Sequence, residues 1–570
     1  MIRYFIINNA SRASNYGVGT YLKQLLSCLS SLSDVQISMI DMDADTKEYT
    51  IKKDESGYTH YIIPRAYGSA KYELYCKSVF YFLAQRIKIQ SKDTLIFHFN
   101  FYHHYDIATR LKAYFPKSKI VLAVHYLSWC FDLKGNVTKF KNYILRESDG
   151  NGYLTSNNHY RYDEKNGQPY NSYKGTIEAY NTERRFMQLA DSVIVLSERT
   201  ENIIENYYHI GKNKIRVILN GLEENEKNDS SNKKAILNDN KINILFVGRL
   251  DEIKGVHYLI KAFKLLYIND PSLHLWLVGD GDFSGHLADA QDVWEAITFT
   301  GKTDKTYTEQ LYNKAYIGVL PSFHEQCSYT AIEMAMHGIP LVGTDSTGLY
   351  EMLKYTPENI VHIDEESFDE DTFVVELSEK IRHLLDDNAY HSQSSQLMRQ
   401  TYLENYTIDL MQANYIKLID CLKEDRNFLS DEMLQNIDYQ MFEYINKRPE
   451  IDLNFFGMTG VGYYLWRRVS LLGDSNDNRI LSHSLMIQEY LIYYLDWVIE
   501  EVNNLTAKEK EMLDLDDLYS LVLELHKSGF YKVGVRKIAN MLGINLSMKH
   551  KSVQTKDIFA NALKIYNYGA

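Results

Sequence analysis

Short apolar runs and helical stripes alternate along the first 220 residues. Residues 4–7, 35–40, 95–99, 120–124, 192–196 and 215–219 are near-continuous apolar runs, the pattern of strands buried on both faces. Between them, residues 20–32 place Tyr21, Leu25, Leu26 and Leu29 on one stripe, and further helices are predicted over 107–114 and 177–189. Strands alternating with helices predict a parallel, doubly wound sheet. The polar stretch 223–240 reads as a linker and the surface run after it. A second series of strands follows at 242–247, 273–278, 297–299, 317–320, 340–342 and 360–363. From about residue 430 the strand signal stops. Ile487, Leu491, Tyr494, Leu495 and Val498 fall on one helical stripe, and Leu515, Leu518, Val522 and Leu525 on another. The chain thus reads as an α/β protein: Rossmann-like domains over 1–222 and 223–407, a helix over 408–428 and a helical appendix over 429–570. Residues 130–175, rich in Asn, Tyr, Gly and Lys, interrupt the first domain; a loop of that size is uncommon and often functional.

Composition narrows the class. Apolar residues at 45% and charged residues at 24% exclude wholesale disorder, and 8 Pro with 29 Gly exclude collagen-like and Pro-rich chains. The net charge of −13 gives no electrostatic footprint for nucleic acid, while local basic clefts remain open. Five dispersed cysteines without a C-x-x-C pair argue for a reducing compartment and against structural zinc or a disulfide frame. The first apolar run is too short for a signal peptide, and residues 485–499 carry Glu489 and Asp496, so no membrane span and a cytoplasmic location are expected. The 46 tyrosines suit a binding surface or a biased composition.

Three segments have the residue types for phosphate and sugar chemistry. Gly17-Val-Gly19 follows the first strand and opens the first helix, where backbone can approach an anion; a plain tight turn is the other reading, since Leu22 replaces the third glycine of a dinucleotide fingerprint. Gly248-Arg249 and Lys254-Gly255 put two cations at the C-terminal end of a strand, the edge where doubly wound sheets bind ligands; an Arg fork with a Lys point charge suits a diphosphate, against a merely solvated loop. Glu325 and Glu333 stand eight apart across a strand-to-helix transition, placed to face one cleft. Asp41-x-Asp43-x-Asp45 fails as a calcium loop, with Thr46 at position six and Lys52 at position twelve, and reads as a solvated strand end. His98, His103 and His104 read as cleft or core histidines, so no metal site is expected.

In order, Gly17-Val-Gly19, His125, the run ending in Ser197, Asn220-Gly221, Gly248-Arg249 with Lys254-Gly255, Gly279-Asp-Gly281, Gly301 and Glu325-x7-Glu333 make residues 1 to about 425 resemble the retaining GT-B glycosyltransferases, the group 1 family that includes sucrose synthases and bacterial mannosyltransferases. The resemblance implies a nucleoside-diphosphate sugar, of UDP type, bound between the domains without an obligatory cofactor or metal. It places Arg249 and Lys254 on the diphosphate, Glu333 on the ribose, Glu325 by the transferred sugar and His125 across from it. Gly17, Gly19, Gly248, Gly279, Cys327, Ser328 and Tyr329 would complete the donor site. The sequence departs from the family at Glu223, where Asp is usual, and at Gly348, where two glycines are usual. The opening segment also resembles a bacterial subgroup found near peptide-maturation genes, which implies a peptide or protein acceptor beside the general alternative of a glycan. Phe456-Gly-Met-Thr-Gly460-Val-Gly462 resembles one repeat of the lanthionine-cyclase barrel without its zinc ligands. A catalytically silent interaction partner and a GT-B sugar-nucleotide epimerase are the competing functions, and the appendix is a candidate homo-oligomer surface.

Overall fold

A computed structural model describes residues 1–9, 17–65, 72–87, 93–115, 117–145, 173–224, 241–423, 465–466, 469, 478–508 and 516–547. The first sheet has eight strands: β1 (Ile2–Asn9), β2 (Val35–Ala44), β3 (Thr50–Lys53), β4 (Thr59–Pro64), β5 (Thr94–Phe99), β6 (Lys119–Val124), β7 (Ser192–Val195) and β8 (Ile215–Val217). Their order is β3-β4-β2-β1-β5-β6-β7-β8. Ile2 lies opposite Val35 on one side and Thr94 on the other, and β3 alone pairs antiparallel. β1 and β6 are buried along nearly their whole length, because helices cover both faces of a parallel sheet. The helix Gly17–Ser30 buries Val18, Tyr21, Leu22, Leu25, Cys28 and Leu29, a stripe at three- and four-residue spacing.

The second sheet comprises β9 (Ile242–Val247), β10 (Leu273–Val278), β11 (Ile297–Gly301), β12 (Ile317–Leu320), β13 (Leu341–Thr344) and β14 (Ile360–Val361). It is parallel throughout, in the order β11-β10-β9-β12-β13-β14. The chain passes between the sheets twice, and the two passages touch: Leu222 N–H donates to Tyr406 O at 2.9 Å and Ile408 N–H donates to Leu222 O at 3.0 Å. The helix Ile408–Lys423 then returns to pack on Gly17–Ser30 of the first sheet.

The predicted strands and helices fall close to the observed ones, with some differences. β3, β4 and the helix Tyr72–Arg86 have no counterpart in the sequence reading. β3 is exposed at every residue, so it offers no apolar run to recognise. Residues 130–145 are less irregular than the composition of 130–175 suggests. Trp129–Asp132, Val137–Phe140 and Lys141–Leu145 are helical turns, and Trp129 stacks on Phe140 with ring centroids 4.3 Å apart. Buried aromatic anchors hold these turns, and they leave no period. The core of that segment, residues 146–172, lies outside the described residues, as do the linker 225–240 and the Phe456 to Gly462 motif.

The C-terminal helices Asn478–Asn504, Asp516–Ser528 and Lys532–Met541 bury Ile487, Leu491, Tyr494, Leu495 and Val498, the predicted stripe, with Leu518, Val522 and Leu525. These side chains join the apolar cluster that holds Phe80, Leu83, Ile107 and Leu111 of the first domain. Among the described residues, no helix is long and apolar enough to cross a membrane.

Candidate functional site

The loops after the strands of both sheets meet around a cleft of about 740 Å³. Gly17, His125, Gly248, Arg249, Lys254, Gly279, Glu325, Cys327, Ser328, Tyr329 and Glu333 all line it. Gly19 does not: it stands within the helix Gly17–Ser30, and Gly17 at the helix start reaches the wall.

The second domain supplies the charged wall. β9 ends at Val247, and Gly248 donates its N–H to Val278 O at 2.9 Å. Gly279 has φ +147°, and a Cβ there would lie 1.7 Å from Gly248 O. The two loops therefore touch backbone to backbone, which only glycine permits, and this contact fixes the turn that carries Arg249. The Arg249 Nη2 rests 3.0 Å from Asp251 Oδ2, both about two-fifths exposed. Five residues on, Lys254 reaches across to β12's loop and pairs with Glu325 Oε1, which also accepts from Ser322 Oγ at 3.0 Å. Lys254 and Glu325 are 17% and 12% exposed, so the pair is much drier than Arg249 with Asp251. Each cation thus rests on a carboxylate that an arriving diphosphate would compete with. Ser328 caps the helix Tyr329–Met336 by accepting from Ala331 N–H, and one turn on, Glu333 accepts from Tyr312 OH at 2.6 Å. Burial pushes the Glu333 pKa up. Asn220 donates to Cys327 O at 2.8 Å, tying the passage between domains to this loop. Gly348 N–H donates to Glu325 O at 2.6 Å, and a Cβ at 348 would lie 1.9 Å from Gln326 O; the one retained glycine of the usual pair is held by that contact.

The first domain supplies a less charged wall, with Lys23 among its lining residues and a neutral histidine at its centre. Asn100 Nδ2 donates to Ile7 O at 3.1 Å, which turns its Oδ1 toward His125 Nε2, 2.9 Å away. Nε2 must then carry the proton, and Nδ1 is left as the acceptor. Burial lowers the His125 pKa to about 3, so the ring is neutral. Tyr21 meets it edge-on at 4.5 Å. Behind lies His98, which bonds Tyr4 OH at 2.7 Å and Tyr21 OH at 3.1 Å, with its pKa lowered to about 3, chiefly by burial. Tyr21 OH also meets Tyr415 OH from the returning helix Ile408–Lys423. His98 and His104 are thus core histidines, and burial likewise lowers the pKa of His103, to about 4. Asp41 and Asp43 are half-buried and engaged, with His60 and Asn9 respectively, where the sequence suggested a solvated strand end. The aspartates face inward because β2 continues to Ala44 and pairs with β4. Among the described residues, no group of three or more His, Cys, Asp and Glu could hold a metal ion.

The segment 132–139 crosses from the first domain to the second. Lys134 pairs with Glu252, Asn136 Nδ2 donates to Glu365 O at 2.6 Å, and Thr138 donates its N–H and hydroxyl to Glu365 Oε2 at 2.9 and 3.0 Å. Farther along, Thr200 Oγ1 donates to Gln326 Oε1 at 2.8 Å and Arg199 N–H to Glu351 Oε1 at 2.8 Å. A second cavity of about 610 Å³ lies beside the crossing segment, lined by its residues and by Tyr173, Arg199, Tyr207, Phe323, Ser346 and Phe368 among others. The sequence reading singled out Asn220 only as part of a motif and missed Lys302, Lys305, Tyr312 and His324 on the main cleft. Lys302 and Lys305 follow β11, so the strand-end rule that found Arg249 would also have found them.

Residues 241–387 match the family model described as Glycosyl transferases group 1. An uncharacterized glycosyltransferase of Methanocaldococcus jannaschii is 28% identical over 180 residues, 30% of this chain and 46% of that protein. The chain thus spans about half the length of the curated relatives it matches. Sucrose-phosphate synthase of Thermosynechococcus elongatus shares the fold at a TM-score of 0.56 and 17% identity, over 75% of this chain and 100% of that one. The Anabaena protein HepE, in complex with UDP-glucose, does so at 0.50 and 15%, over 74% and 99%. Residues 241–387 are therefore similar to the glycosyl transferases group 1 family, within a chain whose two facing sheet domains form a GT-B fold.

Proposed function

We propose that the protein transfers a sugar from a nucleoside-diphosphate sugar, of UDP type, to an acceptor with retention at the anomeric carbon. One observation carries this reading. Two cations, two glutamates, two backbone-close glycines and a neutral histidine, scattered in sequence from His125 to Glu333, line a single cleft between the domains. The cations gathered on the second domain's wall fit the diphosphate of such a donor. Arg249 and Lys254 take the diphosphate, with the N-terminus of the helix Gly17–Ser30 facing it. Glu333, held by Tyr312, accepts from ribose hydroxyls. Glu325 positions the sugar, and the Nδ1 lone pair of His125 accepts from one of its hydroxyls. HepE, a neighbour of the same fold, is known in complex with UDP-glucose, which supports a UDP donor.

In the reaction the acceptor oxygen bonds to the anomeric carbon on the face from which the diphosphate oxygen departs. The acceptor's proton passes to that departing oxygen. His125 is too weak a base at neutral pH to take it. The protein's work is then electrostatic, stabilising the leaving diphosphate with fixed cations. The second cavity, bordered by the segment 132–139, supports an acceptor bound on the first domain's side. Thermal stabilisation across nucleotides and nucleotide sugars tests the reading: a selective ligand at a hundredfold excess over its Kd raises stability by about 2.7 kcal/mol. Selective stabilisation by UDP and a UDP-sugar is expected. Stabilisation by no nucleoside diphosphate would reject the function.

A further inference from the structure

β12 delivers the segment Pro321-Ser322-Phe323-His324-Glu325 to the cleft, and its side chains divide between two environments. Phe323 donates its N–H to Ile253 O at 2.8 Å and packs its ring among Tyr258, Phe368 and Phe373. His324 goes to the cleft wall instead, beside Glu325 and Lys254. It is 8% exposed, and neither of its ring nitrogens has a hydrogen-bond partner among the described residues. Its cover comes from the opposite domain. Gly135, at φ +70°, lies so close that a Cβ there would be 3.1 Å from His324 Cβ and 3.4 Å from Nδ1. Only a residue without a side chain lets the segment 132–139 close over the ring.

A buried imidazole with both nitrogens unpaired is costly unless something arrives to pair them. Burial is the largest influence on the ring and lowers its pKa to about 4, in spite of Glu325 nearby, so it meets a ligand as one donor and one acceptor. A sugar hydroxyl matches that pair of roles, since it too donates and accepts. A phosphate would be served by the cations, which project from the loop after β9. We propose that His324 is a specificity-determining residue that hydrogen-bonds a hydroxyl of the transferred sugar. This rests on the donor reading given above. The donor sugar, rather than the acceptor, is the partner because His324 stands on the same loop as Glu325, on the donor-side wall. A site that must pair a buried polar group discriminates against a sugar lacking the matching hydroxyl.

The test uses the full chain with UDP, a turned-over UDP-hexose and its monodeoxy analogues. His324→Ala and His324→Gln are each compared with wild type for UDP affinity by calorimetry and for kcat/KM with each sugar. UDP affinity should be unchanged. With the complete hexose, kcat/KM should fall about 10–100-fold in His324→Ala and less in His324→Gln, which keeps a donor and an acceptor. With one monodeoxy analogue the wild type should already be impaired, and His324→Ala should add little. An equal loss with every analogue, or none with the complete hexose, overturns the assignment. Should His324→Ala fail to fold, the same pattern of coupling in His324→Gln decides. Wild type that binds neither UDP nor any UDP-sugar would overturn the donor reading, and this assignment with it, whereas intact UDP binding without coupling overturns this assignment alone.

Discussion

Glu183 lies under the loop that carries His125, and its charge should be visible in the pH dependence of stability. The residue belongs to the helix Lys174–Leu189 and is 1% exposed. Its carboxyl accepts from Ser128 N–H and from Tyr208 OH, each at 2.7 Å. Both bonds favour the charged form, yet burial outweighs them and raises the pKa from 4.5 to about 7. The unfolded chain loses this proton near the ordinary value, while the native state keeps it to near neutrality. Between those limits the native state binds more protons, so stability is lost as pH rises through the window from 4.5 to about 7. At about 1.4 kcal/mol per pH unit, the charged carboxylate at pH 8 costs the native state roughly 3 kcal/mol relative to its neutral form. Glu183→Gln keeps the shape and removes the titration. Relative to wild type, the variant should gain about 3 kcal/mol between acid and slightly alkaline pH, or roughly 6–12 °C for a domain of this size. Melting curves of both proteins in matched buffers from pH 5 to 8.5 measure the difference directly. Parallel curves over that range would refute the reasoning.

Lys254→Ala should lower kcat about 10²–10³-fold in a folded protein while changing UDP affinity far less, because a fixed cation matters most where charge develops; steady-state kinetics beside calorimetry check this, and unchanged kcat removes Lys254 from the diphosphate. Gly279→Ala should sharply depress the melting temperature, since its Cβ would collide with Gly248 O, whereas Gly17→Ala meets nothing within 4 Å and should move stability by less than about 1 kcal/mol. Thr138→Val loses one of the bonds that fasten the first domain to Glu365 and should raise the ratio of donor hydrolysis to transfer about 2–10-fold, measured by product analysis. An unchanged ratio would separate that contact from the exclusion of water from the cleft.

The strands that carry the site were legible in the sequence because parallel strands buried on both faces leave unbroken apolar runs. Arg249, Lys254, Glu325 and Glu333 could be placed at one edge because strand ends converge there by topology alone. Their partners were not legible. Lys254 reaches Glu325 over 71 residues, and Glu333 reaches back to Tyr312, contacts that no local spacing encodes. His324 stood in plain view next to Glu325, yet its significance depends on Gly135, nearly two hundred residues earlier. The turns after Trp129 were hidden for another reason: stacking of Trp129 on Phe140 holds them, and that pair has no helical period.

The return of the helix Ile408–Lys423 to the first sheet bears on how the protein is made. Its contact with Gly17–Ser30 means that the N-terminal domain is finished by residues synthesised after the whole second domain. A ribosome adding about 5–20 residues per second leaves the face of Gly17–Ser30 open for the roughly 400 residues between, on the order of 20–80 seconds. Cys28 lies on that face, 2% exposed in the finished chain, with its thiol near Ile408 O and its pKa raised to about 12 by burial. On the nascent chain the same thiol stands open to alkylation. Its disappearance from the labelled pool marks the moment when the two halves of the protein become one folding unit.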